Sequence, residues 1–308
     1  HLSARCRLLD ENDLKNFFEL ISGVLQPVSG SGDLPTDWEH CAESQTFVTE
    51  MIHLLGPEER SADPDLCCRL LHKTYMKLRQ SGPPYIRLHF PPIVFEGLQL
   101  LKTIQPGQIS DSDGDAERHP LIELVQGCID SLVTADASEL ALRLYLNAAV
   151  VIDGLPSIKR HGDTVYDFIS KALTLHEEGV ERSRLQVHTL SLVINCLYRL
   201  FNLDHDNRSS LCSQCLRAAT QLLQKHDQSR SVAMVAHVYW PLPPLARRHI
   251  CDRLSSSDSG AASATPSVHD EAVASSSLAQ LQDGEAVMKG LKKAVNLANH
   301  CIDMAART

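Results

Sequence analysis

Apolar residues recur at helical spacing along most of the chain, in blocks separated by short polar or Gly/Pro turns. Leu14, Phe17, Phe18, Ile21, Val24 and Leu25 form the first block, which stops at Pro27 before a Ser/Gly turn at Ser29–Gly32. Phe47, Val48, Met51, Ile52 and Leu55 form the second, closed by Gly56-Pro57. Asp63-Pro64 reads as an N-cap and a first-turn proline that open a helix carrying Leu66, Cys67, Leu70, Leu71, Tyr75 and Leu78. Downstream of an acidic loop at Asp111–Asp115, further blocks start at Leu121, Leu140, Val165, Leu190, Leu211, Val232 and Val287. Asp136 followed by Glu139 has the spacing of an N-terminal capping pair for the helix with Leu140 and Leu144.

The chain is organised around Tyr85–Leu101, YIRLHFPPIVFEGLQLL, where Pro91 and Pro92 interrupt an apolar run. Proline lacks an N–H and holds φ near −65°, which suits the first turn of a helix and disrupts its interior. The local pattern therefore predicts a helix that starts at the two prolines and carries Ile93, Val94, Phe95, Leu98 and Leu101. Ile86, Leu88 and Phe90 are expected to approach it as extended chain, and Gly82-Pro83-Pro84 to end the preceding helix. Two prolines at a helix mouth make a rigid apolar shoulder. Local chemistry favours a helix start packed in a core, with a docking feature as the alternative.

Segments begin roughly 20–25 residues apart, so a helix pair repeats at about 40–47 residues, the period of HEAT and armadillo arrays. No segment alternates as a strand would. The expected fold is all-α, a HEAT-like α-solenoid of stacked antiparallel helix pairs over residues 1–308, each pair burying its faces against the next. Ser255–Ser277 departs from this: it holds nine serines and little to bury, so a disordered insertion is expected at about 255–280.

Composition narrows the function classes. Hydrophobic residues make up 43% of the 308 residues but aromatics only 5%, which suits many thin aliphatic layers. A net charge of −9 argues against nucleic acid and against direct contact with an anionic membrane surface. No apolar run is long enough to insert into a bilayer. No leader is visible, the end reads as the middle of a helix, and a fragment is expected. The ten cysteines form no dense framework, and Cys67, Cys128, Cys196 and Cys301 fall on apolar helical faces. Both facts favour a reducing, cytoplasmic compartment.

Candidate chemistry is sparse. Cys212 and Cys215 form a CxxC pair without a second pair to complete a zinc site, and both fit an apolar stripe. Asp111, Asp113 and Asp115 resemble the start of a calcium loop, but Ala116 and Ile122 stand where Gly and Glu are required. Fifteen histidines, His53, His72, His188 and His237 among them, form no HExxH motif, and no nucleophile elbow or phosphate loop occurs. The expectation is a non-enzyme without metal or cofactor. Arg143, within Leu142–Leu146, either snorkels from a buried helix or faces a partner.

Six stretches in order carry a resemblance: Arg5–Gln26, Ile86–Leu100 (IRLHFPPIVFEGLQL), Ser138–Val150, Val165–Leu175, Gln214–Ala236 (with KHDQSRSV) and Val287–Asp303. Together they resemble the C-terminal half of the large scaffold subunit of retromer, the vacuolar-protein-sorting α-solenoid. The resemblance implies a non-enzymatic scaffold, cytoplasmic and peripheral on endosomal membranes. It would cradle the retromer subunit with a metallophosphoesterase-like fold for retrograde cargo sorting, contacting cargo and regulators indirectly. It implies a docking surface at Pro91, Pro92, Ile93, Val94 and Phe95, with Arg87 at a polar rim. The arrestin-like subunit would bind the N-terminal half, which this chain lacks. The Ser-rich insertion is longer than the family leads one to expect. Two rival readings are a generic HEAT-type transport or vesicle-coat adaptor for linear peptide motifs, and a zinc enzyme built on Cys212, Cys215 and a histidine.

Overall fold

The computed structural model describes residues 8, 10–23, 25, 38–55, 63–103, 120–155, 161–179, 183–200, 203–240 and 282–306. The Asp111–Asp115 loop and the Ser255–Ser277 stretch lie outside them. The described residues form helices, and their only strand-like feature is an isolated bridge between Leu8 and Leu55. The helices are α1 (Glu11–Leu20), α2 (Trp38–Ile52), α3 (Pro64–Leu78), α4 (Pro83–Thr103), α5 (Pro120–Thr134), α6 (Ser138–Asp153), α7 (His161–Gly179), α8 (Ser183–Arg199), α9 (His205–Gln221), α10 (Lys225–Val238) and α11 (Gly284–Ala305). Contacts divide the chain into two units, His1–Arg160 and His161–Thr308.

In the first unit α3 packs on α1, α4 and α5, and α4 packs on α2, α5 and α6. From α3 to α6 each helix touches the next in sequence, and throughout the unit each touches its second neighbour, which gives two layers, α1/α3/α5 and α2/α4/α6. That is the α-solenoid arrangement anticipated from the period. The core between the layers is aliphatic, with Leu70, Leu78, Ile93, Val94, Leu121, Ile129 and Leu132 wholly buried. Aromatics are few but central: Tyr75 and Phe90 meet with ring centroids 5.4 Å apart.

Helix ends are fixed by local chemistry. The Asp10 and Asp63 carboxylates accept from the N–H groups of Asp13 at 2.7 Å and Leu66 at 2.9 Å, so the Asp63-Pro64 signal is borne out. Asp136 behaves differently from the expected cap of α6. Its φ is 57°, and the Ala137 N–H reaches back to the Leu132 carbonyl at 3.0 Å. This closes α5 in a left-handed C-terminal turn, a conformation that aspartate tolerates better than most residues. The residue that actually precedes α6 is Ala137, which supplies no side-chain cap.

The larger correction concerns α4. It does not begin at Pro91-Pro92 but at Pro83, and it runs through both prolines to Thr103. Ile86, Leu88 and Phe90 are helical, not extended. Gly82, at φ 95°, makes the left-handed turn after α3, and Pro83 and Pro84 occupy the first turn of α4, where a missing N–H costs nothing. Burial explains why the helix continues. Tyr85, Ile86, His89, Phe90, Ile93, Val94, Gly97, Leu98 and Leu101 form one uninterrupted buried stripe of helical spacing. An interior proline costs about 3 kcal/mol, while burying each large apolar side chain returns roughly 1.5–3 kcal/mol. The carbonyls that lose a helix donor belong to Arg87 and Leu88, both exposed residues.

In the second unit α8 packs on α7, α9 and α10, and α10 lies against α9 and α11. Arg208 of α9 is buried and its guanidinium donates to the Leu197 and Leu200 carbonyls at 3.2 and 2.6 Å, ending α8 with a cation at its negative pole. The α10–α11 contact is the closest in the unit. Ser229 Oγ donates to the Ala294 carbonyl at 2.8 Å, and a Cβ on Gly290 would lie 2.9 Å from that of Ala236.

That spacing makes Gly290 a steric requirement. Gly290→Leu is expected to cost about 1–3 kcal/mol by forcing α11 away from α10, measured as a lowered denaturant midpoint.

Candidate functional site

A helix that must carry both a core face and two prolines can offer only a narrow exposed strip. In the middle of α4 that strip is Arg87, Leu88, Pro91 and Phe95, and it continues to Gln99 and Lys102. Leu88 is 39% and Phe95 47% exposed, and their spacing of seven residues puts them on one line of the helix, with half-buried Pro91 between. Pro92 is buried, and Ile93 and Val94 are wholly so. Of the six residues singled out from sequence, the structure therefore leaves Arg87, Pro91 and Phe95 at the surface and places Pro92, Ile93 and Val94 in the core beneath. Leu88 was missed because an extended approach scatters the side chains of residues 86–90. The Leu88–Phe95 interval was the available signal.

Arg87 has a structural task of its own. Its Nε and Nη2 donate to the Ala135 carbonyl at 2.8 and 2.6 Å, and Nη2 donates to the Asp136 carbonyl at 3.1 Å. The guanidinium thereby ties α4 to the end of α5, completing the turn that Asp136 makes. Glu96, next to Phe95 and nearly buried, meets His53 Nδ1 at 2.6 Å and joins the end of α2 to α4. The exposed strip is thus held from both sides, and little freedom remains to be lost when something binds it.

Residues with catalytic potential are placed as structure. Cys212 and Cys215 are free and buried; desolvation raises the Cys212 thiol to about 12 and pushes Cys215 higher still. Among the described residues no group of three or more His, Cys, Asp or Glu is placed to hold a metal. Arg143 donates to Glu139 Oε1 on its own helix at 2.6 Å while Leu142, Leu144, Tyr145 and Leu146 are buried, so it sits at the rim of a buried helix. No described helix is long and apolar enough to cross a membrane. On the opposite layer, α1 and α3 bound a groove of about 960 Å³ lined by Leu14 and Phe18 and by Lys15, Lys73 and Lys77, with Glu19 and Glu11 paired to the first two lysines.

His89, on the buried face of α4, stacks on Tyr85 at 6.3 Å, and neither ring nitrogen has a hydrogen-bond partner. Desolvation lowers its pKa from 6.5 to about 4. Between those values the unfolded chain binds a proton that the folded chain refuses, so stability falls as the pH drops from about 6.5 to about 4. The whole effect is on the order of 3 kcal/mol. His89→Phe should flatten this acid limb in unfolding midpoints measured across the window, and an unchanged slope would show that other groups carry it. In the same folded chain, Cys212 is expected to resist a thiol reagent at pH 8 until denaturant is added, as counted by the thiols released.

Residues 2–308 match the family described as vacuolar protein sorting-associated protein 35. Among curated relatives, vacuolar protein sorting-associated protein 35C of Arabidopsis thaliana is 29% identical over 74% of this chain and 28% of its own length. Protein 35B of the same plant is 26% identical over 94% of this chain and 32% of its own length. The protein 35 of Schizosaccharomyces pombe is 28% identical over 63% of this chain and 22% of its own length. The chain therefore spans about a third or less of these relatives. With a match that runs from residue 2 to residue 308 over helices stacked in this way, the chain belongs to the vacuolar protein sorting-associated protein 35 family.

Proposed function

We propose that this chain is a segment from the C-terminal half of a retromer scaffold subunit, non-enzymatic, cytoplasmic and peripheral on endosomal membranes. Its partner is the retromer subunit with a metallophosphoesterase-like fold, through which cargo and regulators are reached; the arrestin-like subunit binds a part of the scaffold outside this chain. Retrograde sorting follows from the assembly, with no bond made or broken by this segment.

The observation that carries the docking role is the Leu88–Pro91–Phe95 line, with Leu88 and Phe95 exposed and Pro91 half-buried, on a helix whose opposite face is buried. Large apolar side chains that a folded chain keeps in water, on a rigid support, make efficient anchors for another protein. Pro92, Ile93 and Val94 support this surface from below, and Arg87 holds its edge to α5. A second reading, an adaptor for linear peptide motifs, draws on the α1–α3 groove, whose apolar residues and mixed-charge edge suit an amphipathic peptide.

Size exclusion of this chain with the purified phosphoesterase-like subunit distinguishes the two. The proposal expects co-elution at micromolar concentration and a Phe95→Asp variant that stays folded while losing at least about tenfold in affinity. Separate elution of the wild-type proteins would defeat it, and so would an unchanged affinity of Phe95→Asp for the docking line.

A further inference from the structure

The prolines that shape α4 also change its backbone. In an α-helix each carbonyl accepts from the N–H four residues on, or from the third residue on where the turn tightens. For the Arg87 carbonyl the fourth residue is Pro91, so only the Phe90 N–H, three residues on, can serve it from within the helix. For the Leu88 carbonyl both the third and the fourth residues are proline, so neither donor exists. The Pro92 ring also crowds the Leu88 carbonyl, because proline collides with the carbonyl four residues back. Both acceptors belong to exposed residues, and they lie beside the Leu88, Pro91 and Phe95 side chains. The Arg87 guanidinium does not serve them, since it is spent on the Ala135 and Asp136 carbonyls.

Water can satisfy these carbonyls while the surface is free. Once a partner covers Leu88 and Phe95 that water is displaced, and an acceptor buried without a donor opposes binding. An apolar patch containing an acceptor that the helix cannot serve therefore selects among apolar partners. We infer that the partner of this surface brings an N–H donor, set beside the apolar side chain that packs on Phe95, to the Leu88 carbonyl. The tandem prolines are then specificity determinants acting through the main chain, and their side chains are secondary. This rests on the docking reading above and adds the chemistry that discriminates its partner.

Pro91→Ala/Pro92→Ala returns the two N–H groups and lets the helix satisfy both carbonyls itself, while Leu88 and Phe95 stay in place. Binding to the purified phosphoesterase-like subunit is measured by calorimetry beside Phe95→Asp, with circular dichroism as the fold check. The expected result is a folded double variant with about tenfold weaker affinity, equivalent to about 1.4 kcal/mol. A folded double variant that binds as tightly as wild type overturns the inference. If Phe95→Asp still weakens binding in that case the docking reading survives, and if neither variant weakens it both fall.

Should the double variant misfold, the wild-type chain supplies the test. Carbonyl-labelled leucine combined with ¹⁵N-histidine selects only the Leu71-His72, Leu88-His89 and Leu175-His176 peptide bonds. The Leu88 carbonyl resonance should move downfield when the partner binds while Leu175 stays still. No movement at Leu88 in a formed complex overturns the inference equally.

Discussion

The first unit depends on α4 remaining one helix across Pro91 and Pro92. Tyr85, Ile86 and Phe90 before the prolines, and Ile93, Val94 and Leu98 after them, fill the same core against α3, α5 and α6. A break at the prolines would turn one of these sets away from that core. The helix forgoes two main-chain hydrogen bonds instead, at the exposed residues Arg87 and Leu88. Buried apolar surface outweighs local proline preference here.

The same economy governs how helices are joined. Long cationic side chains from adjacent helices reach the last carbonyls of two helices: Arg87 of α4 at the end of α5, and Arg208 of α9 at the end of α8. Each arginine does the work of a C-terminal cap from a different helix, so the register between helices is set by a hydrogen bond as well as by packing. Gly290 against Ala236 achieves a comparable fixing by shape alone.

What such a framework can do follows from what it leaves exposed. The Cys212 and Cys215 thiols and the His89 imidazole are buried in the packing, and Arg143 pairs with Glu139 on its own helix. The informative surface is an apolar line on a rigid helix with polar main-chain atoms beside it. Under the proposed docking role, such a surface would be read by shape and hydrogen-bond pattern, in a chain that belongs to a protein-sorting family.

The helical period and the apolar stripes were enough to establish the all-α solenoid character, because amphipathic spacing records which face of each helix is covered. Asp63-Pro64 marked a helix start correctly, since a cap and a first-turn proline act within four residues of chain. The resemblance carried by IRLHFPPIVF and KHDQSRSV pointed to the family that the match over residues 2–308 shows. Local chemistry misplaced the start of α4 and the role of Asp136, because proline cost and capping spacing are local terms while the deciding energies were burial against α3, α5 and α6 and an arginine from 49 residues away. Only the tertiary structure separated Phe95, left in water, from Ile93 and Val94 two and one residues before it. A sequence pattern tells which residues can be buried, and the neighbouring helices decide which of them are.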